Sequence, residues 1–154
     1  MTDRTPVSVS RRIPATPRQI FAILADPSRH PDFDGSGMLR DAIDPAPVSK
    51  VGDVFAMKMY HHEFGDYEMN NTVVEHRQDR LIAWEPARRD MEAEPWHYRW
   101  RYELTPDGDA TVVTESFDLS RSPEEAWRAT NDGATWIPAM TASPGAPGTP
   151  VRAA

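Results

Sequence analysis

The stretch WHYRWRYEL at residues 96–104 constrains the fold more than any other. In an extended chain successive side chains point to opposite faces. Trp96, Tyr98, Trp100, Tyr102 and Leu104 therefore fall on one face, and His97, Arg99, Arg101 and Glu103 on the other. No position breaks the alternation. So clean a split predicts an antiparallel strand with one wet face and one face packed against a core.

The same two-residue period continues through the chain. Val7, Val9 and Ile13 alternate with polar residues in a first strand, which Pro14 ends. TPRQIFAILADP follows, with Thr16 as N-cap, Pro17 at the first helical position and Gln19 where a capping box places Glu or Gln. Ile20, Phe21, Ile23 and Leu24 form its apolar stripe, and Asp26-Pro27 stops it. MLRDAID, VFAMKMYHH, YEMNNTVVEH, RLIAWEP and ATVVTESFDL read as further strands, with hairpin signals at EFGD and TPDGD. Ser122-Pro123-Glu124-Glu125 opens a second capping box and a helix containing Trp127. Strands joined by tight turns, with helices at the ends, predict an α+β fold with an antiparallel sheet.

Parity also selects the inner face. Phe55, Met57 and Met59 point inward on one strand, Ile82 and Trp84 on another, and Val113, Glu115 and Phe117 on the last. Tyr67, Met69, Asn71 and Val73 are the inward set between them. Bulky aromatics and thioethers are most simply a filled core. The polar tips of Tyr98, Tyr102, Trp84 and Trp100, together with Asn71 and Glu115, instead suit a pocket with apolar walls and a few convergent polar groups.

Composition excludes several functions. The 154 residues carry a formal net charge of −7, without the basic footprint a nucleic-acid partner requires. There is no cysteine, hence no thiolate metal site and no Cys nucleophile. MTDRTPVSVS lacks an apolar signal core, and no apolar run approaches the ~20 residues that span a bilayer. These features predict a soluble, cytoplasmic protein. One domain over residues 1–142 is expected, followed by a flexible Pro/Gly/Ala-rich tail at 143–154.

With these elements in order, the chain resembles the START-like, or SRPBCC, superfamily, and within it the polyketide cyclase/dehydrase-like proteins. The matching stretches are VSRRIPATPRQIFAILADPSRHPDF, VGDVF, GDYEMNNTVVE, LIAWEP and WRYELTPDGDATVVTESFDL. The resemblance implies a helix-grip fold: a curved antiparallel sheet of about seven strands around a C-terminal helix, a short helical segment after the first strand, and an apolar cavity between. Such proteins bind lipids, sterols, polyketides or other apolar molecules, and some are cyclases. This chain departs at the C-terminal helix, where Asn131-Asp132-Gly133 and Pro138 interrupt it. The expectation is a helix over about 123–131 and a second piece near 135–142. A lid or a homodimer contact would then cover the open end.

The chemical candidates follow. His61 and His62, adjacent on a strand, are expected on opposite faces and so cannot share a metal ion. DFDGSG imitates the start of an EF-hand loop, but Ile43 stands where the loop needs an acid. No metal and no cofactor are expected. For acid/base work, His61 at the pocket rim or Glu115 is a candidate base, and Tyr98 or Tyr102 a candidate acid. In the helix-grip fold the first and last strands are neighbours, so Arg11 is expected to neutralise Glu115. The leading expectation is binding of a lipid, polyketide or aromatic compound by Phe55, Met57, Met59, Tyr67, Met69, Asn71, Trp84, Tyr98, Trp100, Tyr102 and Phe117. A cyclase/dehydratase-type enzyme and a protein-interaction or regulatory module are the alternatives.

Overall fold

A computed structural model describes residues 6–32, 39–43, 47–63, 65–89 and 96–130. Seven strands form one antiparallel sheet: β1 (Val7–Ile13), β2 (Leu39–Ile43), β3 (Val54–His61), β4 (Gly65–Arg77), β5 (Leu81–Arg88), β6 (Arg99–Asp107) and β7 (Ala110–Asp118). Helix α1 (Pro17–Leu24) and a 3-10 helix (Pro27–Asp32) lie between β1 and β2, and α2 (Glu124–Ala129) follows β7. The spatial order is β1-β7-β6-β5-β4-β3-β2, so β1 closes onto the last strand and β5 is central. This is the curved sheet of the helix-grip α+β fold. No helix among the described residues is long and apolar enough to cross a membrane. The second helical piece and the tail expected from the sequence lie outside the described residues.

Cross-strand register sorts the inner face into rows. One row runs Val7, Phe117, Trp100, Trp84, Val73, from β1 to β4. The next runs Val9, Glu115, Tyr102, Ile82, His76. A bulge between Val73 and Glu75 keeps this second row intact on β4. The extra residue restores His76 to the inner face, where its ring meets the edge of Phe21 on α1 at 5.4 Å.

Local chemistry starts α1 as the sequence predicts. The Gln19 amide N–H donates to Thr16 Oγ1 at 3.2 Å, and the Thr16 N–H donates to Gln19 Oε1 at 2.9 Å. The stripe Ile20, Phe21, Ile23 and Leu24 is buried, and Ile20, Phe21 and Leu24 join Val73, Ile82, Tyr102 and Leu104 in the main core. A smaller cluster of Phe117, Leu119, Ala126 and Trp127 lies under α2. Trp100, half-buried, packs against both clusters.

Three sequence expectations need correction. The strand read from residue 96 starts at Arg99, because His97 adopts a left-handed backbone with φ 57°. At the other end it runs through Pro106 to Asp107, and Gly108, at φ 62°, makes the turn. The second capping box does not form: Pro123 is the N-cap residue, without a side-chain hydrogen bond, and Ser122 Oγ is buried without a partner among the described residues.

The outer face is not simply solvated. Arg101 Nε donates to Glu75 Oε2 at 3.0 Å, spanning β6 to β4. Both residues are in register with Ala83 on β5, so the ion pair passes over that small residue, which is fully buried. Arg101 also meets Glu103 on its own strand. On β1 and β7, Ser8 bonds Ser116 at 3.0 Å and Ser10 bonds Thr114 at 2.8 Å.

These contacts set expected stabilities. Ile82→Ala, at a fully buried position on the central strand, should lower the unfolding free energy by about 2–5 kcal/mol in urea melts. Thr16→Ala, losing the cap, should cost about 1 kcal/mol. Val51→Ala, at an exposed site, should stay within about 0.5 kcal/mol of the parent.

Candidate functional site

The aromatic residues of the main core gather at the middle of the sheet. On β5, the Trp84 indole lies in a column of rings. His30 stacks on one side, with ring centroids 5.1 Å apart and planes 20° apart. Tyr102 stacks with it at 5.4 Å and 30°. The Phe55 edge meets both His30 and Trp84, at 5.1 and 5.3 Å. His30 itself is buried, and its Nε2–H donates to the Leu24 carbonyl at 2.7 Å, tying the 3-10 helix to the end of α1.

The column ends on a carboxylate. The Tyr102 hydroxyl donates to Glu115 Oε1 at 2.9 Å, between residues directly opposite one another on β6 and β7. On the other side of β7, Val9 faces Glu115 and Arg11 faces Val113. Arg11 and Glu115 are therefore half-buried diagonal neighbours on the inner face of adjacent strands.

Tyr98 differs from Tyr102. Its half-buried ring packs on Phe117 with centroids 5.3 Å apart, and Trp100 packs on the same phenyl at 4.7 Å. Burial pushes the Tyr98 phenol well above the ordinary tyrosine range, and nearby Tyr67 adds to the rise. Loss of water around the hydroxyl disfavours the phenolate, so Tyr98 stays a neutral donor. Among the described residues its hydroxyl has no hydrogen-bond partner. Tyr67, from β4, lies beneath the Arg88 guanidinium, 5.1 Å from its ring centroid.

The remaining candidates are distributed around this centre. Phe55, Met57, Met69 and Trp84 are buried, and Met59 is half-buried against the main core. Asn71 is buried and donates from Nδ2 to the Phe55 carbonyl at 3.3 Å, across the β3–β4 pair. His61 stands apart from the Tyr102–Glu115 pair, at the end of β3 opposite Gly65. Its Nδ1 accepts the Glu63 N–H at 3.1 Å. The two histidines do not point to opposite faces: β3 ends at His61, the chain turns, and the rings stack at 4.5 Å. Among the described residues, no three His, Cys, Asp or Glu side chains gather as a metal site.

Sequence reasoning missed His30 and Glu85. His30 sits in a turn-rich stretch, where no period marks which way a ring points. Glu85 reads as an ordinary outward residue of β5, yet its carboxylate accepts from His97 Nδ1 at 3.3 Å and from Arg99 Nη2 at 2.8 Å.

Comparison with known proteins places this geometry. An uncharacterised protein, Rv0088, from Mycobacterium tuberculosis is 36% identical over 124 residues, covering 77% of this chain and 50% of that protein. The chain thus spans about half the length of that relative. Protein Ms6760 from Mycobacterium smegmatis shares the fold, with a TM-score of 0.66 at 16% identity over 89% of this chain and 85% of its own. The Polyketide_cyc-like protein Cgl2372 from Corynebacterium glutamicum superposes with a TM-score of 0.50 at 22% identity, over 84% of this chain and 72% of its own. The sequence profile described as "Polyketide cyclase / dehydrase and lipid transport" matches residues 4–142, nearly the whole sheet-and-helix unit, and the chain belongs to that family.

Proposed function

We propose that the chain binds an apolar small molecule, a lipid, polyketide or aromatic compound, against the inner face of its sheet. One observation carries the reading: the half-buried Tyr98 phenol, packed on Phe117 beside Trp100 and with no hydrogen-bond partner among the described residues. A ligand oxygen accepting the Tyr98 proton would gain a hydrogen bond worth about 0.5–1.5 kcal/mol net, and more if the acceptor is charged. Trp100 and Phe117 supply apolar wall around the Tyr98 ring, Tyr67 a second phenol, and Met59 lies opposite Tyr67 on β3. Thioether side chains suit an adaptable wall. The family description, which joins cyclase and lipid-transport proteins, agrees with such a ligand.

A second reading, an acid/base enzyme of the cyclase or dehydratase type, is favoured by one contact, the Tyr102 hydroxyl on Glu115. A carboxylate in that position can take a proton from carbon next to a carbonyl, and the phenol can return one to a departing hydroxide. His61 is less suited, since Nδ1 is committed to the Glu63 N–H in the turn.

Two experiments separate these readings. Anilinonaphthalene sulfonate, an aromatic dye with anionic acceptor oxygens, should bind with enhanced fluorescence, and Tyr98→Phe should weaken it about ten- to hundredfold, the worth of one hydrogen bond to a charged acceptor. Unchanged affinity would remove Tyr98 from the site. Compounds retained from cell extract should then be identified by mass spectrometry and incubated with fresh protein. Recovery unchanged supports binding alone. Cyclisation or loss of water that falls about a hundredfold or more in Glu115→Gln would establish the enzyme, whereas full turnover in that variant would sink the assignment of Glu115.

A further inference from the structure

We propose that Glu85, on the outer face of the sheet, positions the Tyr98 hydroxyl on the inner face and so sets the polar contact of the site. The proposal deepens the binding role of Tyr98 given above and rests on it.

Backbone pairing between β5 and β6 stops short of Tyr98. The β5–β6 register runs from Leu81 opposite Glu103 to Trp84 opposite Trp100, and no further. Beyond that point β5 continues to Arg88 paired only with β4, while Arg99 pairs only with Asp118 on β7. Residues 96–98 precede β6 altogether. Tyr98 is thus not held against β5 by main-chain hydrogen bonds of the ladder.

Glu85 takes over at this gap. Its Oε1 accepts from His97 Nδ1 at 3.3 Å and its Oε2 from Arg99 Nη2 at 2.8 Å. One carboxylate therefore grips the residues immediately before and after Tyr98, one oxygen to each. With both neighbours drawn to the outer face, the Tyr98 ring packs on the inner-face Phe117, centroids 5.3 Å apart. The Glu85 and Arg99 side chains are only 16% exposed, so their contact is poorly screened by water. The His97 backbone gives a second sign of constraint. A left-handed conformation at a non-glycine residue costs about 1–3 kcal/mol and persists where surroundings impose it. Holding His97 so lets the chain change course just before Tyr98.

Removing Glu85 does not strand a charge, because Arg99 Nη1 keeps Glu75 Oε2 at 3.3 Å. The grip can therefore be tested in a folded protein. Fluorotyrosine-labelled protein should give a fluorine NMR signal for each of its four tyrosines, with Tyr98 assigned from Tyr98→Phe. Glu85→Ala is expected to move the Tyr98 signal toward that of an exposed tyrosine and to weaken the dye by up to the about ten- to hundredfold of Tyr98→Phe. Placed in the Tyr98→Phe background, it should cost no further affinity. Glu85→Gln, which preserves volume, should move the same signal less, and serves if the alanine variant does not fold. Glu103→Ala removes a different outer-face carboxylate and should leave the signal in place. A Tyr98 signal unmoved in both Glu85 variants, or moved equally by Glu103→Ala, overturns the proposal. A moved signal with dye affinity insensitive to Tyr98 would uphold the positioning and overturn the binding role on which its functional meaning rests.

Discussion

The packing of Trp84 organises this molecule. Its indole stands on the central strand and is met by His30 from the helical layer, by Phe55 from β3 and by Tyr102 from β6. Each such aromatic pair adds about 0.5–1.5 kcal/mol beyond its buried area. The three contacts do separate things. His30 docks the segment after α1 onto the sheet. Phe55 fixes the angle at which β3 approaches. Tyr102, held flat against the indole, has its hydroxyl aimed across the strand pair at Glu115. Trp84 also marks the last paired position between β5 and β6, so the same residue that closes the core stands where the sheet begins to open.

That opening divides the inner face into two regimes. Toward Ile82, Leu104 and His76 the sheet is sealed by α1 with the close packing of an ordinary core. Toward Tyr98, Tyr67 and Arg88 the rings are half-buried and polar atoms collect among them. The outer face answers this division. Where backbone pairing is complete, Arg101 and Glu75 reach over buried Ala83 and reinforce strands already bonded. Where pairing has ended, Glu85 supplies the cross-strand link that main-chain bonds no longer provide. Long charged side chains serve both purposes because their apolar stems cover the sheet while their heads meet in pairs.

Much of this was legible in the sequence, because two-residue alternation reports directly on faces of a sheet. It places Val7, Val9 and Arg11 with Val113, Glu115 and Phe117, and the β1–β7 register agrees. It finds the capping box at Thr16 and Gln19, whose signal is purely local. It fails where the chain stops being extended. WHYRWRYEL looks like one unbroken strand, yet the turn in backbone at His97 leaves the letter pattern untouched, since residues on either side still alternate. The histidine pair fails for the same reason: parity holds only while the strand lasts, and β3 ends between the two rings. His30 was illegible because a residue outside any period contributes to a site only through tertiary packing, and a pattern along one strand carries no record of what descends on it.

Tyr98 and Tyr102 show how far identical letters can diverge. Both occupy inward positions of the same alternating stretch, two turns of the pleat apart. Tyr102 lies within the ladder, stacked on Trp84 and donating to a carboxylate directly opposite, so its position and its proton are both fixed by the protein itself. Tyr98 lies beyond the ladder, with its neighbours tied to Glu85 on the far face and its own hydroxyl unpartnered among the described residues. Tyr98 sits between two residues bonded to one carboxylate, so their restraint limits its own freedom. The carboxylate that restrains His97 and Arg99 therefore restrains Tyr98 without touching it.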